Sequence, residues 1–253
     1  MVYQMIKLTS DNSGLYHLQM ADEKGKNALS HQMIHDLLEA FQEIRNAPDA
    51  KSLLLTGTPD YFCTGASAEM IQEISDGNLA ANDIDLAIEL ISFPIPVIAS
   101  LQGSAVGGGL VLALCSDISI ASESSRYGFN FTDLGFTPGM GTTGLLPDLI
   151  GYQRAAEMMM TGKMYKGREL QQMGLFNYVV EQDAVANQSR EIAERLTDKP
   201  IHVLKTLKEY ISKPRIKRIE EVLQKENEMH TFCFKHDETR SQIKRNFTGN
   251  HNS

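Results

Sequence analysis

Two short segments carry glycine where backbone N–H groups could do chemistry: Tyr61-Phe62-Cys63-Thr64-Gly65-Ala66 and, about forty residues on, the triplet Gly107-Gly108-Gly109. Each sits where a short apolar run gives way to a helical pattern. A glycine-permitted turn at such a junction can aim an N–H outward. Two of these turns meeting at one point would hold the oxyanion of a thioester carbonyl as it becomes an enolate. The triplet alone could instead cradle a phosphate at a helix N-terminus. It matches neither the GxGxxG dinucleotide pattern with its downstream acid nor a P-loop, which needs Gly-Lys-Ser/Thr.

Side chains able to move a proton are fewer. His230 lies seven residues after Leu223, on a helix whose apolar face includes or borders Ile219, Leu223, Met229 and Cys233. It is either a core imidazole or an acid reaching a cavity. Glu69 and Asp133 lie near the glycine segments in sequence, where helix-surface or capping roles account for both. His31 and His35 have the i, i+4 spacing of a helical metal pair, but Gln32 stands where a metalloprotease places its Glu. Ile34 and Leu38 already supply that helix's apolar face, which leaves both histidines in solvent. Cys63, Cys115 and Cys233 form neither an even-numbered disulfide framework nor a CxxC pair. No metal site is expected, and a reducing, cytoplasmic setting fits.

These groups need a scaffold that brings distant turns together. Residues 14–20 alternate as a strand, Ser30 offers an N-cap, and Ile34, Leu37, Leu38, Phe41 and Ile44 recur at helical spacing. Short apolar strands are expected at 52–55, 96–101 and 118–121, with an apolar helix over about 108–114. Helices near 154–161 and 167–173 end at Gly162 and Gly174, a strand follows at 178–180, and the remainder reads as helical, with one helix over about 216–234. Strands alternating with helices predict an α/β domain with a buried sheet.

The 253 residues amount to about 1.7 typical domains, which suits one large domain or one with an appendage. With 42 % apolar and 22 % charged residues the chain can bury a sizeable core, which excludes disordered, collagen-like and coiled-coil classes. A formal charge of −8 argues against wholesale nucleic-acid binding. Residues 200–246 hold eleven Lys/Arg against seven Asp/Glu, a bias that either meets a phosphate or acidic partner protein or is the solvated face of amphipathic helices. No basic segment leads into an apolar run at the N-terminus, so no signal peptide is read. Residues 90–116 carry no charge over 27 positions, but eleven of them are Gly, Pro, Ser or Gln. Buried core rather than a membrane span is expected there.

Taken in series, YFCTGA, IPVIASLQGSAVGGG, SDISIAS and YGFNFTDLGFTPGMGTTGLLPDLIG resemble the signatures of the crotonase, or enoyl-CoA hydratase/isomerase, superfamily from about residue 14 to 174. The resemblance implies a spiral of ββα units over 1–195 and a helical C-terminal region over 196–253. It also implies a homotrimer or dimer of trimers acting on thioesters of CoA or of a carrier protein. It places the oxyanion N–H groups at Ala66 and Gly108. Lys26-Asn27-Ala28-Leu29 is similar to the family's substrate-end loop, which makes Lys26 and Ala28 candidate substrate-binding residues; an ordinary helix lead-in is the other reading.

The departures narrow the chemistry. Val111 and Phe131 occupy the positions where hydratases of the family carry glutamates, and water addition needs an acid and a base. The FTPGMG segment and Met229-His230 in the last long helix resemble the decarboxylases of polyketide β-branching, the second enoyl-CoA-hydratase-like enzyme of that cassette. Such enzymes convert 3-methylglutaconyl on an acyl carrier protein into 3-methylcrotonyl with loss of CO₂. The resemblance makes His230 proton donor or carboxylate orienter. It requires no metal or organic cofactor, the phosphopantetheine arm being part of the substrate. That branch carries a lysine for the substrate carboxylate where alignment puts Ala80, and residues 67–90 hold no Lys or Arg. Either the carboxylate is held differently or the enzyme is impaired. An enoyl-CoA isomerase and a silent acyl-carrier-protein-binding homologue are the alternatives.

Overall fold

The structure, a computed structural model, describes residues 2–79 and 86–248. Strands β1 (Ile6–Ser10) and β2 (Leu15–Met20) pair antiparallel, with Ile6 opposite Met20. Helix α1 (His31–Asn46) starts at Ser30, whose Oγ accepts from the Met33 N–H at 3.2 Å. Its buried face is Met33, Leu37, Phe41 and Ile44, as the spacing predicts.

Three ββα turns follow. The first is β3 (Ser52–Thr56), β4 (Tyr61–Cys63), α2 (Ala68–Asp76) and α3 (Leu86–Ile91). The second is β5 (Val97–Leu101), β6 (Ser104–Val106) and α4 (Gly108–Cys115); the third is β7 (Ile118–Ser122), β8 (Arg126–Gly128) and, after a 3-10 turn at Thr132–Leu134, α5 (Thr142–Ile150). Each turn gives its first strand to a six-stranded sheet of order β1-β2-β3-β5-β7-β10 and its second to a four-stranded sheet of order β4-β6-β8-β9. The chain continues through α6 (Tyr152–Thr161), β9 (Tyr165–Lys166), α7 (Gly167–Met173), β10 (Tyr178–Val180), α8 (Val185–Thr197), α9 (Ile201–Phe234) and α10 (Asp237–Thr248).

Parallel strands covered on both faces read as unbroken apolar runs, and β3 and β5 do so. Their side chains still alternate. Leu53, Leu55, Val97 and Ala99 enter the main core, whereas Leu54 and Ile98 pack with Val185 and Ala193 of α8. The uncharged stretch at 90–116 is accordingly divided among the end of α3, β5, β6 and α4, and no helix among the described residues is long and apolar enough to cross a membrane.

The C-terminal region is helical as expected, and its last long helix extends beyond the segment singled out in the sequence. It begins at Ile201 rather than near 216 and runs for 34 residues through Pro214. A proline there leaves the carbonyl four residues back without its N–H partner, but that residue is Tyr210, 75 % exposed, so water can satisfy it. Lys208 anchors this half of α9 below, its buried ammonium donating to Asp117 Oδ2 at 2.6 Å and to the Ile95 carbonyl at 2.8 Å. Ile219, Phe234 and Ile243 of the two final helices belong to the same apolar cluster as β3 and β5.

Candidate active site

Strands β4 and β6 are parallel neighbours, Tyr61 opposite Ser104, so both chains leave the small sheet at the same edge. That pairing brings the two glycine turns together. Gly65 has φ +84, and a Cβ on it would lie 2.9 Å from the Val106 carbonyl oxygen and 3.3 Å from the Gly108 nitrogen. Gly107, at φ 54 and ψ −127, turns the chain into α4 through a region closed to L side chains. The Leu29 N–H donates to Gly65 O at 2.8 Å, and Leu29 O accepts from the Ser67 N–H at 3.0 Å. Alternate residues of an extended chain face opposite sides, so the N–H of Ala66 points away from Leu29. Gly108 opens α4, and first-turn N–H groups lack intrahelical partners. Ala66 and Gly108 both line a cavity of about 320 Å³.

The rest of that cavity is mostly apolar. Phe131, Leu134 and Phe136 form one wall and Ile71 and Ile74 of α2 another. Phe131 meets Phe136 edge-on at 5.9 Å, and Phe136 meets the His230 ring edge-on at 5.9 Å. His230 arrives from α9 and is 4 % exposed. Its Nε2–H donates to the Thr137 carbonyl at 2.7 Å, while its buried Nδ1 has no partner among the described residues. Burial holds its pKa below the ordinary imidazole value, against an opposing pull from the Thr137 and Pro138 backbone. Burial thus favours the neutral ring, and with Nε2 donating, the lone pair of that form lies at Nδ1. Among the described residues lining the cavity, His230 is the sole titratable side chain.

One residue essential to this geometry was not singled out in the sequence. Glu226 lies one helical turn before His230 and is 2 % exposed. Its carboxylate accepts from the Gly141 N–H at 2.7 Å, the Thr143 N–H at 2.8 Å and the Thr143 hydroxyl at 2.7 Å. Burial raises its pKa and these three bonds oppose the rise. Glu226 and His230 thus grip the chain on either side of Met140. Met140 is held at φ 60, an uncommon conformation for a non-glycine residue, with its thioether over Gly108. The readable signal was the i, i+4 spacing of a Glu and a His on one otherwise apolar helix face.

Other expected positions fall outside the cavity. Lys26 (φ 54) is exposed with its ammonium 5.4 Å from the Tyr61 ring centroid, and Ala28 is half-buried. Neither lines the cavity; they adjoin it through Thr64, which does line it and whose hydroxyl donates to Lys26 O at 3.2 Å. The buried Asn27 between them staples the loop to β4 through Nδ2 bonds to the Tyr61 and Phe62 carbonyls. Phe131 does line the cavity, whereas Val111 is buried in α4 away from it. Glu69 and Asp133 are exposed and absent from its walls. His31 pairs with Glu73 at 2.9 Å and His35 is largely in solvent. Cys63 and Cys115 are buried thiols pushed up to about 12, and Cys233 is half-buried. Ala80 lies outside the described residues.

Comparison with known proteins agrees with this geometry. Residues 10–248 match the family model described as enoyl-CoA hydratase/isomerase. The chain is 35 % identical over 244 residues to the bacillaene synthase decarboxylase PksI of Bacillus subtilis, covering 96 % of this chain and 98 % of that one. A solved structure from a dehydratase/decarboxylase enzyme couple involved in polyketide β-branching superposes with a TM-score of 0.92 at 34 % identity, covering 99 % of this chain and all of that one. The ECH2 decarboxylase domain of CurF from Lyngbya majuscula superposes with a TM-score of 0.89 at 32 % identity, over 96 % of this chain and 99 % of that domain. On its fold, its paired glycine turns and these matches, the chain belongs to the enoyl-CoA hydratase/isomerase family.

Proposed function

We propose that the protein is a carbon–carbon lyase of polyketide β-branching, which decarboxylates 3-methylglutaconyl on an acyl carrier protein to 3-methylcrotonyl. The observation that carries this reading is the composition of the cavity: two backbone turns suited to an oxyanion and, among the described lining residues, one titratable side chain. Hydration needs a general acid and a general base. A carboxylate-assisted isomerisation would need Glu69 or Asp133, neither of which lines the cavity.

In this reading the Ala66 and Gly108 N–H groups receive the thioester oxygen. The bond to the carboxylate carbon breaks, its electron pair forms a new double bond, the existing double bond shifts, and negative charge collects on the thioester oxygen. CO₂ leaves. His230 orients the substrate carboxylate or takes up a proton when it enters, since a neighbouring anion favours the imidazolium. As proton donor it passes that proton to carbon, so each turnover consumes one proton from solvent. The thioester is the electron sink, and the reaction calls for no metal or organic cofactor.

The same reading takes an acyl carrier protein as partner, Lys26 and Ala28 near the phosphopantetheine entrance, a homotrimer or dimer of trimers as the assembly, and the cytoplasm as the compartment. Val203, Leu207, Tyr210 and Ile211 form an exposed apolar stripe on α9 that a neighbouring copy would cover. Incubation with 3-methylglutaconyl thioesters on carrier protein and on CoA, followed by mass spectrometry, tests the activity. CO₂ loss without water addition is expected. Rapid hydration of a crotonyl thioester would overturn the assignment, and binding without turnover would favour the silent homologue.

A further inference from the structure

The cavity around Ala66 and Gly108 has no Lys or Arg among its described lining residues, yet a glutaconyl thioester carries a carboxylate at the end remote from the thioester. A second cavity, of about 300 Å³, abuts the first and shares Ile74, His230 and Phe234 with it. Two cations, Lys235 and Arg240, line this second space. They come from the corner between α9 and α10. The Arg240 Nε–H donates to the Phe234 carbonyl at 2.9 Å, which ties the guanidinium stem to the end of α9 and leaves its terminal nitrogens available. One anion, Asp76, lines the same space, and the Gln72 amide donates to both of its oxygens at 3.0 Å. Among the described lining residues, two cations against one engaged carboxylate leave a net positive charge.

Resting on the decarboxylase reading above, we propose that Arg240, assisted by Lys235, holds the distal carboxylate of the substrate from this second cavity, with His230 at the boundary between thioester and carboxylate ends. The planar guanidinium offers paired donors that match a carboxylate, and charge-assisted bonds of this kind are stronger than neutral ones. Both cations are exposed, so they orient the carboxylate at the rim without sealing it in a site that would oppose loss of its charge. Arg240 is thus a positioning and specificity residue. It also answers the absence of Lys and Arg from residues 67–90.

The test uses the full chain and pantetheine thioesters. Arg240→Gln should raise KM for glutaconyl-pantetheine about 10- to 100-fold with a smaller change in kcat. It should weaken glutaryl-pantetheine binding by a similar factor and leave butyryl-pantetheine binding within about twofold. Lys235→Gln should show the same selectivity at lower amplitude, and Arg240→Lys should recover part of the loss. Equal weakening of glutaryl and butyryl binding, or no effect on either, would overturn the proposal. If the parent releases no CO₂, the decarboxylase reading falls, while the glutaryl-against-butyryl comparison still decides whether this rim recognises a carboxylate.

Discussion

On one side of the cavity the proposed chemistry rests on main chain: the Ala66 and Gly108 N–H groups, placed by parallel pairing of β4 with β6. On the other side it rests on side chains, with Glu226 and His230 of α9 gripping the loop from Thr137 to Thr143. The backbone half is fixed by sheet register, has no group to titrate, and is vulnerable only to bulk. The side-chain half reaches across more than eighty residues of sequence. It buries one acid and one imidazole, so it should respond to charge and pH.

The contrast is broken most directly at His230. His230→Gln retains a donor for the Thr137 carbonyl but no transferable proton, and decarboxylation should fall by about 10²- to 10⁴-fold. Thermal melting should stay near the parent's. A destabilised variant whose folded fraction turns over normally would instead make His230 a packing residue. On the backbone side, Gly108→Val should reduce turnover by about 10²- to 10³-fold, the usual effect of losing one oxyanion donor. An added Cβ there already lies 2.8 Å from the Met140 sulfur, a flexible neighbour that can shift, so the fold should survive. Full activity of this variant would show that the oxyanion does not sit at Gly108.

Glu226→Gln probes the grip without touching the cavity lining. It leaves at least one buried N–H or hydroxyl poorly paired and should cost about 1–3 kcal/mol of stability. Its effect on turnover should be smaller than at His230 or Gly108. Unchanged urea unfolding would mean the loop is held by packing alone.

The smallest effect concerns acid stability. Because burial depresses the folded-state pKa of His230, its contribution is fully present above the unfolded imidazole value of about 6.5 and is lost as pH falls through the lower folded value. Glu226, with its pKa raised, contributes in the opposite sense, stabilising at low pH and losing that contribution as pH rises through its folded value. His17 is also depressed by burial, so the informative comparison is between variants at each pH. Melting measured at pH 8 and pH 5 should show a smaller acid-induced loss for His230→Gln than for the parent. An identical loss would assign the acid sensitivity to other groups.

Much of the scaffold was legible because its signals are local. Ser30 caps α1, Gly162 and Gly174 end α6 and α7, and the apolar runs of β3, β5 and β7 fall where the pattern put them. The helical character after residue 180 was legible too, but not that residues 201–234 form one unbroken helix, because its passage through Pro214 depends on the exposed Tyr210 face. Glu226 was not singled out in the sequence, since nothing local reveals that three donors from α5 and the preceding loop converge on it. Lys26 and Ala28 matched a loop motif, but motif position does not give distance to a cavity, and the Asn27 staple turns that loop toward β4.

By itself the sequence determined the two glycine turns, Val111 and Phe131 where the resemblance expects glutamates, and a histidine at helical spacing from an apolar face. Those are matters of residue type and interval, and they set which chemistry the chain can and cannot support. Tertiary structure alone decided that the turns meet, that Nδ1 of His230 is buried without a partner among the described residues, and that Arg240 and Lys235 stand behind it. The physical reason is that these properties arise from pairing and burial between segments far apart in the chain. Desolvation and convergence of donors exist only once the sheet register and the seat of α9 have been fixed.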